Sequence, residues 1–147
     1  MKIYCGKLEL EKISEKQIHI YRSWINFADC IKEYKKAEFV VIPLIKSDRT
    51  LGLTSMFDAM AMAKTFIITR NSGIDIDVEK EKVGLWVEPN SISDMKNKIS
   101  FLLNNSVIAK LYGENGKKYL ERKYNYKKFC QQLYDLARAT FEENFLS

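Results

Sequence analysis

The chain predicts a doubly wound parallel α/β sheet followed by C-terminal helices, and three observations carry that prediction. Strand-like segments alternate with segments of helical period as far as Asn105. The run Phe39-Val-Val-Ile-Pro-Leu44 is apolar and largely β-branched, the composition of a parallel strand covered on both faces. Residues 50–69 set a glycine-led turn before an apolar helix that runs straight into a second apolar strand.

Taken in order, Lys2 to Cys5 reads as a short strand ending at Gly6, and Leu8 to Glu15 is polar enough for either a helix or a loop. Gln17 to Tyr21 alternates as a strand does, and Arg22-Ser23-Trp24 leaves it. Phe27 to Lys36 is an amphipathic helix with Phe27, Ile31 and Tyr34 on one side. Ala37-Glu38 turns the chain into the Phe39–Leu44 strand, which Pro43 ends because it has no N–H to give. A loop from Ile45 to Leu51 carries Lys46, Asp48 and Arg49. The apolar helix then spans Leu53 to Ala63, and Thr65 to Thr69 is a strand. After the loop Arg70–Asp77 comes a short charged helix or turn, then the strand Val83–Val87, closed by Glu88-Pro89-Asn90. Ser91-Ile-Ser-Asp supplies capping residues for a helix running through Met95, Ile99 and Leu102. Two more helices are expected, Val107 to Lys123 and Tyr126 to Phe141.

At 147 residues the chain is one domain's worth, long enough to bury roughly 70% of the surface its unfolded form exposes. Six glycines and two prolines beside 46% hydrophobic residues argue against disorder or a fibrous repeat. Cys5, Cys30 and Cys130 are odd in number and far apart, which fits neither a disulfide framework nor a zinc site, so a reducing cytoplasm and no metal are expected. The longest apolar stretch, Phe39 to Ile45, is far below bilayer length. A cytoplasmic location follows, at most peripheral to the inner face of a membrane. The net charge of +5 is spread along the chain, with a modest basic bias from Lys117 to Lys128. Basic and aromatic residues are not interleaved on one element, which argues against nucleic acid as a partner.

Ligands of doubly wound sheets sit beyond the carboxyl ends of the strands, here the loops after Tyr21, Leu44, Thr69 and Val87. Gly52 allows close approach to the backbone, and the N–H groups that open the following helix attract phosphate. Asp58 is the single acid of that apolar helix. A buried carboxylate without a partner is costly, so it answers either to sugar hydroxyls or to a salt bridge with Lys46, Arg49 or Lys64.

Four blocks in order, Ala37-Glu-Phe-Val-Val-Ile-Pro-Leu44, Gly52-Leu-Thr-Ser-Met-Phe-Asp-Ala-Met-Ala-Met-Ala-Lys-Thr-Phe-Ile-Ile-Thr69, Val83-Gly-Leu-Trp-Val-Glu-Pro-Asn90 and Glu121-Arg-Lys-Tyr-Asn-Tyr126, resemble the nucleotide-sugar-binding half of retaining GT-B glycosyltransferases of the group 1 (family 4) type. The resemblance covers Gln17 to Phe141 and implies a Rossmann-like second half of a GT-B protein, residues 1–147, with the N-terminal acceptor domain absent. It implies that Asp58 accepts hydrogen bonds from the donor ribose. It further implies that backbone N–H groups at Gly52, Leu53 and Thr54 hold the diphosphate, and that Arg22, Ser23 and Trp24 lie beside the base.

The chain departs from the family at three places, the mildest being Ala63-Lys64-Thr65 where the family has Gly-Lys-Pro at a turn into a strand. The paired acids Glu-x7-Glu become Thr50 and Asp58, so the acid expected near the donor sugar is missing unless Asp48 substitutes from a shifted loop. The family's basic pair Arg-x4-Lys, which neutralises the diphosphate, has its spacing copied by Lys7 and Lys12, yet those lie almost against the strand at Gln17, where the family has a helix, a strand and a further helix. Either this segment is a shortened version that supplies Lys7 and Lys12 as phosphate cations, or it corresponds to the later strand and the pair is absent.

The resemblance implies a UDP- or GDP-hexose donor, no cofactor and no metal, and retaining transfer to a glycan or lipid acceptor once an acceptor domain or partner chain completes the enzyme. The isolated chain is expected to bind nucleotide without turnover. The alternative is a degenerate, non-catalytic interaction domain that keeps the fold and not the chemistry.

Overall fold

The computed structural model describes residues 2–4, 19–21, 25–45 and 49–145, with side chains described at 25–45 and 49–142. The backbone divides into two compact units, Met1–Glu33 and Tyr34–Ser147.

In the first unit, β1 (Lys2–Tyr4) and β2 (His19–Tyr21) pair in parallel, Lys2 opposite His19 and Tyr4 opposite Tyr21. The segment expected as helix or loop at Leu8 to Glu15 lies outside the described residues. Helix α1 (Phe27–Lys36) begins in this unit and ends in the second. Asn26 opens it, its Oδ1 accepting the Asp29 N–H at 2.9 Å while its Nδ2 donates to the Asp29 carboxylate at 2.7 Å. Asp29 accepts in turn from the Lys32 ammonium at 2.8 Å, and that hydrogen bond, then the opposite charge, raises the lysine above its ordinary value. The apolar side of α1 does not bury all that was expected of it. Phe27 is 72% exposed, whereas Ile31 is half-buried and Tyr34 packs on the core of the second unit.

The second unit holds a parallel sheet of β3 (Phe39–Ile42), β4 (Thr65–Thr69) and β5 (Gly84–Val87), side by side in that order. Phe39 stands opposite Thr65 and Ile42 opposite Ile68; Phe66 stands opposite Gly84 and Thr69 opposite Val87. Because side chains alternate along a strand, the sheet has two apolar faces, and each has its own core. On one, Ile42, Phe66, Ile68 and Trp86 meet Met56, Ala59 and Met60 of α2 (Leu53–Ala61). On the other, Ile67, Leu85 and Val87 meet Leu102 of α3 (Ile92–Asn104) and Ala109 of α4 (Ser106–Lys123). All five residues of β4 are buried, including the hydroxyl-bearing Thr65 and Thr69 at its ends. Removing each of Phe66, Ile67 and Ile68 from water contributes about 1.5–3 kcal/mol before conformational entropy is charged against it.

Helix α4 passes beneath the amino end of β4 and serves both cores, Ala109 and Tyr112 joining one while Tyr119 and Leu120 join the other. The crossing depends on Gly113, where a Cβ would collide with the Ala63 carbonyl. The last helix, α5 (Tyr126–Phe145), leaves Tyr126, Phe129, Leu133, Tyr134 and Leu136 exposed.

Element ends differ from the sequence reading where backbone chemistry intervenes. Helix α2 stops at Ala61 and not at Ala63, because Ala63 turns left-handed at φ 53° and the N–H groups of Ala63 and Lys64 fold back to Met60 and Ala59. That is a Schellman stop with alanine where glycine is usual. The charged stretch before β5 is a turn, with Lys82 left-handed at φ 54°. α5 runs beyond Phe141 to Phe145.

Candidate functional site

The carboxyl ends of β3, β4 and β5 lie along one edge of the parallel sheet, and α2 follows the first of them. Pro43 offers no N–H to the ladder, and one residue on the Leu44 N–H is taken by the Thr69 hydroxyl at 3.0 Å. This continues the pairing past the end of β3 and brings the chain over the sheet. Gly52 follows as the N-cap of α2 at φ 78°, in the left-handed region open to glycine at little cost. A Cβ there would stand 3.0 Å from Leu44, 3.2 Å from Ile68 and 3.3 Å from Ile42, so the backbone lies directly on the core.

The first intrahelical bond runs from the Met56 N–H to the Gly52 carbonyl at 2.9 Å. The N–H groups of Leu53, Thr54 and Ser55 therefore have no partner within the helix, and no side chain of the described residues caps it. Unsatisfied N–H groups and the positive end of the helix dipole together favour an anion. Leu53 is half-buried against the core, while Thr54 is exposed. Asp58 lies one turn on from Thr54 along the outward stripe of α2 and is half-buried. Of the salt bridges weighed for Asp58, those to Lys64 and Arg49 do not form, and Lys46 lies outside the described residues. Its carboxylate thus has acceptor capacity unspent among the described residues.

The loops after β3 and β4 are tied together. Asn71, only 6% exposed, donates from Nδ2 to the Arg49 carbonyl at 3.0 Å and accepts the Gly73 N–H at 2.8 Å. Thr50 donates its hydroxyl to the Gly73 carbonyl at 3.2 Å. Thr50, the position of the missing acid, is accordingly a loop tie. At the end of β4 the Arg70 Nε donates to Glu88 at 2.7 Å, and the guanidinium stands 5.3 Å from the centre of the Trp86 ring. Trp86 is a core residue, 6% exposed.

Of the residues expected at the site, the structure brings Thr50, Gly52, Leu53, Thr54 and Asp58 to the loop and first turns of α2. Lys7, Lys12, Arg22, Ser23, Trp24 and Asp48 lie outside the described residues. The sequence reading passed over Asn71, Gly73 and Arg70. Asn71-Ser72-Gly73 directly after a buried strand is a turn signal in which an Asn side chain can accept the N–H two residues on, and that signal could have pointed to the tie. No cluster of three or more His, Cys, Asp or Glu suited to a metal occurs among the described residues.

A parallel sheet with an uncapped helix start at the carboxyl ends of its strands is of the open α/β class, whose ligands sit beyond those ends. Among solved structures, a sucrose-phosphate synthase from Thermosynechococcus elongatus matches with a TM-score of 0.71 at 23% identity, covering 87% of this chain and 31% of that one. The C-terminal domain of a glycosyl transferase group 1 family protein from Francisella tularensis matches with a TM-score of 0.63 at 24% identity, covering 76% of this chain and 56% of that one. The fold is that of the C-terminal half of GT-B glycosyltransferases. The sequence profile of the glycosyl transferases group 1 matches residues 3–105, and the chain belongs to that family. An uncharacterized glycosyltransferase of Methanocaldococcus jannaschii, MJ1178, is 32% identical over 103 residues, 70% of this chain and 28% of its own length. A second from the same organism, MJ1069, is 31% identical over 79 residues, 54% of this chain and 20% of its own. The chain thus spans less than a third of the length of these curated relatives.

Proposed function

We propose that this chain is the donor-binding part of a glycosyltransferase, holding a nucleoside-diphosphate sugar, a UDP- or GDP-hexose, for retaining transfer to a glycan or lipid acceptor. The observation that carries the reading is the start of α2. Three N–H groups without helical partners follow a left-handed Gly52, and Asp58 stands one turn further in with its acceptors unspent among the described residues. The diphosphate sits on the amides of Leu53 and Thr54, and the ribose hydroxyls donate to Asp58. Negative charge that builds on the departing diphosphate is met by dipoles already in place, so little reorganisation accompanies bond breaking. Lys7 and Lys12 are candidates for the cations beside the phosphates, Asp48 and Thr50 for the sugar end, and Arg22, Ser23 and Trp24 for the base. No cofactor or metal is invoked.

Acceptor recognition falls to a domain or partner chain outside these residues, so the isolated chain binds donor and does not turn it over. No helix among the described residues is long and apolar enough to cross a membrane; we place the protein in the cytoplasm, with room for peripheral contact at the inner face of the membrane. One observation favours a second reading, a non-catalytic interaction domain of the same fold: Thr50 replaces the sugar-facing acid and spends its hydroxyl on Gly73.

Calorimetric titration of UDP, GDP and ADP into wild type and Asp58→Ala separates the two. Donor binding predicts saturable binding of one nucleotide, weakened at least about tenfold by the substitution, as loss of a charged hydrogen-bond acceptor entails. Binding of none of the three would favour the interaction domain.

A further inference from the structure

We infer that Asn71 is a positioning residue for the phosphate end of this site. The inference rests on the donor-binding reading above and adds to it a residue on a different loop from those that touch the ligand. Asn71 is buried at the carboxyl end of β4, and its amide has one orientation that satisfies both neighbours, nitrogen toward the Arg49 carbonyl at 3.0 Å and oxygen toward the Gly73 N–H at 2.8 Å. Its own carbonyl accepts the Ile74 N–H at 3.3 Å, which closes the turn.

The partner loop is held at a second point, where Thr50 donates to the Gly73 carbonyl. The two backbones approach so closely that a Cβ on Gly73 would stand 2.6 Å from the Thr50 hydroxyl and 2.7 Å from its Cα. Arg49 and Thr50 lie just upstream of Gly52, so whatever fixes them fixes the direction in which the chain enters α2. The N–H groups of Leu53, Thr54 and Ser55 are then aimed before any anion arrives. A loop free to move would have to be ordered by the ligand, and that cost would be subtracted from affinity. The effect belongs to the phosphates. The ribose partner, Asp58, is set by the interior of α2, which packs on the sheet through Met56, Ala59 and Met60 irrespective of the loop.

The test compares wild type, Asn71→Ala and Thr50→Val in the whole chain, titrating each with the nucleoside diphosphate that wild type binds best and with its parent nucleoside. Amide hydrogen exchange of residues 51–55 is followed in the free proteins. Asn71→Ala is expected to weaken the diphosphate roughly tenfold, to change the nucleoside by less than about twofold, and to speed exchange at residues 51–55. Thr50→Val keeps the shape of the side chain while removing one bond, and shifts both readouts the same way by less.

Equal loss of diphosphate and nucleoside in Asn71→Ala would overturn the inference by reducing Asn71 to a fold-stabilising residue. So would unchanged diphosphate affinity in both variants, or unchanged exchange in Asn71→Ala. In those cases wild type still binds, and the donor reading stands. Failure of wild type to bind any nucleotide would remove the donor reading and this inference with it.

Discussion

Ala63 shows how one side chain can stand against its backbone. It occupies the left-handed position that ends α2 at φ 53°, in a hydrogen-bonded stop that glycine fills without steric cost. An L residue held there gives up about 1 kcal/mol. Ala63→Gly is expected to raise the urea midpoint by the equivalent of about 0.5–1 kcal/mol, partly offset by the freer unfolded chain; a lower midpoint would show that the Ala63 methyl does packing that outweighs the strain. Tyr124 gives a second residue-scale expectation. Its ring lies 5.3 Å from Phe57, and its hydroxyl points to the Asp75 carboxylate at 3.5 Å. Burial first, then the charge of Asp75, raises the phenol above 10.0. Tyr119 is raised likewise, with burial again the main cause. A folded value above the unfolded one means that stability is fully present below pH 10.0 and lost as pH rises through the folded value. The wild-type urea midpoint should therefore fall on the alkaline side of pH 10, and Tyr124→Phe should fall less steeply; parallel curves would remove Tyr124 from that account.

At the scale of elements, the parts most legible in the sequence were those whose residues answer to one demand only. Strand β4 is apolar at Phe66, Ile67 and Ile68 because helices cover both faces, and its bounds match the sequence pattern residue for residue. The start of α3 was legible because Ser91 meets a local demand, its hydroxyl accepting the Asp94 N–H at 3.2 Å. Ends governed by a left-handed residue were not legible, since Ala63 and Lys82 carry no composition signal for it. Of the Asn71 tie only the turn to Gly73 had a local signal, and its bond to Arg49 was not legible because it joins loops far apart in sequence. The same holds for Glu79, which accepts both the Trp86 N–H at 3.2 Å and the Lys98 ammonium at 3.1 Å and so occupies a ladder position along β5. Helix α5 shows the reverse case, in which periodicity is plain and no cover appears among the described residues: Phe129 is 60% and Leu133 55% exposed. Truncating both to Ala should leave the stability of this chain within about 0.5 kcal/mol by urea denaturation. A loss of 2 kcal/mol or more, of the order found for buried apolar side chains, would mean that the stripe is packed in solution.

For the molecule as a whole, the chain is a glycosyl transferases group 1 domain with the fold of a GT-B C-terminal half, matching only part of the length of its relatives. Everything proposed for its site converges on a single piece of geometry, the left-handed Gly52 followed by amides with no helical partner. Asp58 and Asn71 matter because of where they stand relative to it. The most direct test is therefore an amide-resolved NMR titration of the wild-type chain with the nucleoside diphosphate selected by calorimetry. The account predicts that the Leu53, Thr54 and Ser55 amides shift in a saturable way with the affinity measured by calorimetry, while amides in the middle of α3 stay still. Saturable binding that leaves those three amides unmoved would contradict it, because the phosphates would then be held somewhere other than the start of α2.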